Sequence, residues 1–161
     1  MNVRRAGLTT LCALVMGMAG AAEAHAFIYF NSNQGPTILR ADADGTGLQP
    51  NFIAVPGAKI SRVAVDAGHI YWADRGSGSI GRAALDGSGV QPDFIPGAGG
   101  TTSELIQGVA VDAQHVYWTV GSGPGGPGGI GRANLDGSGA TRSFIPDITA
   151  IEVAVDAGHV Y

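Results

Sequence analysis

Apolar and polar positions alternate in short runs along this chain, and the runs recur. Val63-Ala64-Val65-Asp66 is followed by His69 to Trp72, then Ile80 to Leu85, then a segment centred on Phe94-Ile95. The same series returns as Val109 to Asp112, His115 to Trp118, Ile130 to Leu135 and Phe144-Ile145. Runs of this length, rich in Val, Ile, Tyr and Trp and bounded by Gly and Asp, predict β-strands. Asp86-Gly87 and Asp136-Gly137 fall between the third and fourth runs, where a glycine supplies the positive φ of a tight hairpin. No stretch sustains a helical period.

The string Val-Ala-Val-Asp-Ala occurs at 63–67, 109–113 and 153–157, and Tyr29, Tyr71, Tyr117 and Tyr161 stand 42, 46 and 44 residues apart. A self-similar period of about 40–50 residues marks a repeat array. Four antiparallel strands per period is a β-propeller blade, so the predicted fold is all-β. The predicted blades cover approximately 27–62, 63–108 and 109–152, with the start of another at 153–161. The first begins late. Phe27 to Phe30 matches the second strand, and no Val-Ala-Val-Asp run precedes it, so its inner strand is expected from beyond Tyr161.

Composition adds an export signal. Arg4 and Arg5 lead into an apolar run from Leu8 to Ala22, with Ala-x-Ala cleavage sites ending at Ala24 or Ala26, so residues 1–26 read as a secretory signal peptide. The expected location is secreted or periplasmic, with no membrane attachment after cleavage. The one cysteine, Cys12, lies inside that leader, so the exported chain relies on packing without disulfides. Cleavage after Ala26 leaves about 135 residues and shifts the formal charge from −4 to about −5. The charges are scattered, with no basic stripe for nucleic acid.

Tyr71-Trp72-Ala73-Asp74 followed by Ile80-Gly81-Arg82-Ala83-Ala84-Leu85-Asp86-Gly87-Ser88 resembles the YWTD repeat of low-density-lipoprotein-receptor class B propellers. Tyr117-Trp118-Thr119-Val120, with Ile130 to Ser138, is similar, although Val120 replaces the final acid; the first copy reads Tyr29-Phe30-Asn31-Ser32. The resemblance implies a ring of about six blades, of which this chain carries about half. Open blade faces favour self-association. The half-ring is expected to be a piece of a longer chain, with a decayed gene and a self-complementary dimer as alternatives.

The internal copies separate scaffold from site. Asp66, Asp112 and Asp156, Asp44, Asp86 and Asp136, and Arg40, Arg82 and Arg132 recur at fixed places, so ion pairs or turn hydrogen bonds fixing the blade are expected of them. His69, His115 and His159 recur beside a turn and read as turn or packing residues rather than metal ligands, and no metal or cofactor is expected. The connectors from first to second and from third to fourth strand barely change between copies. Those from second to third strand, and between blades, vary strongly. In an up-and-down blade the variable sets emerge on one face, where binding sites concentrate. Its polar members, Asn31, Asn33, Lys59, Arg62, Arg75, Glu104, Gln107 and Glu152, are the candidate ligand-binding residues. The expected function is a binding scaffold for a protein or glycan. The alternative is part of a propeller enzyme similar to streptogramin lyases or gluconolactonases, with Glu104 and Glu152 near the inner strands and the remaining catalytic groups elsewhere.

Overall fold

The computed structural model describes residues 13–15, 26–32, 35–100, 106–123 and 127–161. Among the described residues, twelve strands form three four-stranded antiparallel sheets. The first contains β1 (Ala13–Val15), β2 (Phe27–Asn31), β3 (Thr37–Asp42) and β4 (Gln49–Ala54) in that order. The second contains β5 (Ile60–Val65), β6 (His69–Asp74), β7 (Ser79–Ala84) and β8 (Gln91–Ile95). The third contains β9 (Ile106–Val111), β10 (His115–Val120), β11 (Gly129–Asn134) and β12 (Thr141–Pro146). Beyond it, Val155 and Val160 form an antiparallel bridge closed by Ala154 and Tyr161, which exchange backbone hydrogen bonds of 3.0 and 2.8 Å.

The sheets stack side by side. β5 packs against β1 and β2, and β9 against β5 and β6, so the leading strands form an inner row. The core lies between sheets, and a period-2 strand serves two cores at once. On β6, Ile70 and Trp72 enter the cluster shared with the first sheet, where they meet Tyr29, Ile38 and Ile53. Tyr71 and Ala73, pointing the other way, enter the cluster shared with the third sheet, where they meet Ile106, Val116 and Trp118. Both faces are therefore apolar, as expected of a strand covered on both sides.

The glycine of each Ile-Gly-Arg run is fixed by this packing. Gly81 pairs across the strands with Trp72, and Gly131 with Trp118. A Cβ on either glycine would overlap the indole of its partner. The first sheet has the larger residue and the smaller ring at the same register, Leu39 opposite Phe30.

The edge of the first sheet is paired with β1, from the stretch read as a leader. Ala13 faces Tyr29 in the register by which Ala64 faces Tyr71 and Ala110 faces Tyr117.

Candidate functional site

The antiparallel order of each sheet sends its connectors to two ends. At one end lie the first turn (66–68) and third turn (85–90) of the second sheet, joined where Leu85 N–H donates to Gly68 O at 3.2 Å. At the other lie the second turn (75–78) and the inter-sheet connectors, joined where Gly99 N–H donates to Gly78 O at 2.8 Å and Arg75 N–H to Lys59 O at 3.0 Å. We call these the turn end and the loop end.

At the turn end the recurring residues are fully engaged in structure. Asp66 Oδ1 accepts the N–H groups of Gly68 and His69, each at 2.7 Å, and Oδ2 accepts the Tyr71 hydroxyl at 3.0 Å. Asp112 does the same with Gln114, His115 and Tyr117, and Asp156 with Gly158, His159 and Tyr161. Burial pushes the Tyr71 hydroxyl far above the ordinary tyrosine range, and the adjacent Asp66 carboxylate adds to this. Burial works to raise Asp112, but the hydrogen bonds from Gln114, His115 and Tyr117 outweigh it and hold the carboxyl below its usual range. The N–H of Gly158 and the Tyr161 hydroxyl lower Asp156 likewise.

The recurring arginines lie against aromatic rings. Arg40, Arg82 and Arg132 lie over the rings of Phe52, Phe94 and Phe144 at 4.0, 3.8 and 4.0 Å from the centroids. Asp44, Asp86 and Asp136 instead accept the N–H two residues on, from Thr46, Ser88 and Ser138, as hairpin turns require. The aromatic stack is the part the sequence reading did not foresee. His69, His115 and His159 each pack at a tilt or edge-on against the tyrosine two residues on (centroids 6.0, 5.9 and 6.0 Å). Among the described residues, no three His, Cys, Asp or Glu side chains converge as metal ligands.

At the loop end the variable residues divide by task. Asn31 Nδ2 donates to Ile60 O at 2.8 Å and ties the first sheet to the second. Two residues that sequence reasoning missed do the same at later seams. Ser61 Oγ donates to Gln107 O at 2.7 Å, and Thr119 Oγ1, which accepts from Gly108 N–H at 2.7 Å, reaches Ile151 O at 3.5 Å. Their signal was a hydroxyl inside an otherwise apolar run.

Arg62 and Glu152 are brought together across the third sheet, Nε to Oε1 at 2.9 Å. They occupy equivalent repeat positions, and the equivalent residue between them is Gly108, whose missing side chain leaves Glu152 room: a Cβ there would lie 3.1 Å from the Glu152 Cα. Both side chains remain partly exposed, at 31% and 47%.

Lys59 and Arg75 stand beside each other at the margin of β5 and β6, above Asp74. Asp74 is 5% exposed, and its carboxylate accepts the N–H of Lys59 and of Gly76, each at 2.7 Å, and the Ser77 hydroxyl at 2.8 Å. It thereby locks both connectors of the loop end. Val120 holds this place in the third sheet and is buried as a plain apolar residue. Asn33 and Glu104 lie outside the described residues.

These sheets, stacked radially about a row of inner strands, define β-propeller blades. Forty-five chains of solved structures match the fold. One is the crystal structure of a nidogen/laminin complex, with a TM-score of 0.67 and 18% identity over 91% of this chain. This chain spans 52% of that one, about half its length. No protein-family model and no curated protein sequence matches the chain.

Proposed function

We propose that the chain is a stretch of an exported β-propeller of the YWTD type, and that its loop end binds a protein partner. The observation that carries this reading is the division of labour between the two ends. Residues that recur in each blade are spent on turns and stacks. Residues that do not recur, Lys59, Arg62, Arg75, Gln107 and Glu152, gather at the end where the connectors vary. Interaction residues concentrate on variable loops held by a fixed scaffold.

The YWTD assignment is supported by the work each motif position does in the second sheet: Tyr71 binds Asp66, Trp72 fills the space left by Gly81, and Asp74 ties the loops. Protein recognition is supported by the propeller neighbour, whose structure is a complex of two proteins. Export is supported by Arg4, Arg5, the apolar run and the alanine-rich cleavage region.

The test is retention of host envelope and culture-medium proteins on the immobilised chain. A specific partner is expected to be lost with Gln107→Arg, at the loop end, and kept with Gln114→Arg, on the exposed first turn of the third sheet. Equal retention by both variants, or loss with Gln114→Arg alone, overturns the proposal.

A further inference from the structure

Basic residues are scarce in this chain and unevenly used. Outside the leader there are seven, and Arg40, Arg82 and Arg132 are committed to phenylalanine stacks. Of the other four, Lys59 and Arg75 stand together at the loop end of the second sheet, while Arg62, further along β5, reaches Glu152. None belongs to the repeat. The position of Arg62 is Gly108 and Glu152 in later copies, and that of Arg75 is Gly121 in the third sheet.

We propose that Lys59 and Arg75 form a recognition site for a protein segment in which acidic and apolar side chains alternate. The proposal rests on the reading that the loop end is the binding end.

Four observations support it. The main chain holds Lys59 and Arg75 in register, through Arg75 N–H to Lys59 O at 3.0 Å and Lys59 N–H to Asp74 at 2.7 Å. The one acid beneath them is already satisfied by three donors facing inward, and among the described residues neither Lys59 nor Arg75 has an ion-pair partner. Arg62, further along β5, holds the Glu152 carboxylate at 2.9 Å while remaining partly exposed, so the adjacent cation is already paired and leaves Lys59 and Arg75 as the open ones. Finally, a groove of about 360 Å³ runs along the seam between the connector 54–58 and the second sheet. Val55, Pro56, Ala58, Val90 and Pro92 line it, and its wall residues Ala58, Asp74 and Gly76 are chain neighbours of Lys59 and Arg75. The loop-end wall of this groove therefore adjoins the two cations along the chain, and Val55, Pro56 and Ala58 give that wall its apolar part.

Charge complementarity also selects the occupant. Asp93 lines the groove and repels a second carboxylate there, while Glu152 and the net negative chain oppose a polyanion. An acidic side chain on the cations with an apolar neighbour in the slot satisfies both conditions; a sulfated glycan does not.

The probe is a short fluorescent peptide of alternating glutamate and leucine, titrated into the full chain and read by anisotropy. Saturable binding that weakens with added salt is expected. Lys59→Ala with Arg75→Ala should weaken it about tenfold, as two partly exposed charge contacts warrant. Lys59→Glu with Arg75→Glu should abolish it and create binding of the matched lysine–leucine peptide, a gain that an unfolded variant cannot show. Arg142→Ala, a cation on the outer strand β12, should change nothing. Absence of binding, indifference to the charge reversal, equal binding of a glutamine–leucine peptide, or stronger competition by a sulfated oligosaccharide each overturns the proposal. A host partner lost with Gln107→Arg but indifferent to Lys59→Glu and Arg75→Glu sinks this inference while leaving the loop-end reading standing.

Discussion

Substituting Gly81 by alanine places a methyl group where the Trp72 indole already lies. In a strand without that neighbour the change would stabilise the fold by about 0.4–1 kcal/mol, because alanine restricts the unfolded chain. Here the ring is fully buried and rigid, and the overlap involves three atoms of the indole rather than the end of a flexible side chain. Overpacking of this kind costs about 1–3 kcal/mol, and a rigid neighbour places Gly81→Ala near the upper figure. The chain supplies its own compensating pair, Phe30 opposite Leu39 at the equivalent register. Trp72→Phe alone leaves a void where the buried indole lay and carries its own cost, part of which the added methyl of Gly81→Ala refills. Urea titration of the full chain, followed by far-ultraviolet circular dichroism, should show Gly81→Ala strongly destabilised. Adding Trp72→Phe should restore at least 1.5 kcal/mol, roughly the middle of the range for residues in contact. Additive effects of the two substitutions would refute the packing argument, and so would a stabilised Gly81→Ala.

Other expectations follow from the same contacts. Tyr117→Phe removes a half-buried donor to Asp112 and should cost about 1–2 kcal/mol in urea, while Tyr161→Phe, at an exposed copy of the same contact, should leave the midpoint unchanged. Asp86, Asp112, Asp136 and Asp156 are all lowered in the folded chain, so their stabilising effect is present above the unfolded aspartate value of about 3.9 and is lost as pH falls through their folded values. The melting temperature should therefore be flat with respect to these groups above about pH 5 and fall below about pH 4; a constant value down to about pH 2 would contradict the assigned hydrogen bonds. Arg62→Ala should change stability by less than about 1 kcal/mol, since both partners are partly exposed, and a larger loss by thermal melting would mean the pair is part of the scaffold. Removal of residues 1–26 should speed hydrogen exchange in β2 relative to β7, because β2 loses the strand paired to its edge.

What could be read without coordinates was what is local and repeated. Asp-Gly hairpins, Val-Ala-Val-Asp runs and Tyr-Trp pairs each carry their signal within a few residues, and repetition fixes the period. Alternation alone does not say which face of β6 meets which sheet, because both are buried; that Trp72 faces backward and Tyr71 forward is settled by tertiary contact. The Arg–Phe stacks were hidden because arginine and phenylalanine come from different strands and acids offered a simpler partner. The Arg62–Glu152 pair joins residues 90 positions apart, and no local pattern announces it. Its visible trace was the succession of Arg, Gly and Glu at one otherwise conserved point of the repeat.

The direction in which the two aromatic faces point has a consequence for how the chain assembles. Trp72 completes a core whose other half, Tyr29, Ile38 and Ile53, precedes it in the chain, and Trp118 completes one begun by Ile80 and Ile95. Each new sheet finds its docking surface already synthesised and leaves a tyrosine face, Tyr71 or Tyr117, for the next. The expected order of folding is therefore the order of synthesis, blade after blade as the chain leaves the ribosome. A nascent chain paused after Ile95 would be structured behind Trp72 and sticky ahead of Tyr71, and that interval is where a chaperone would find it.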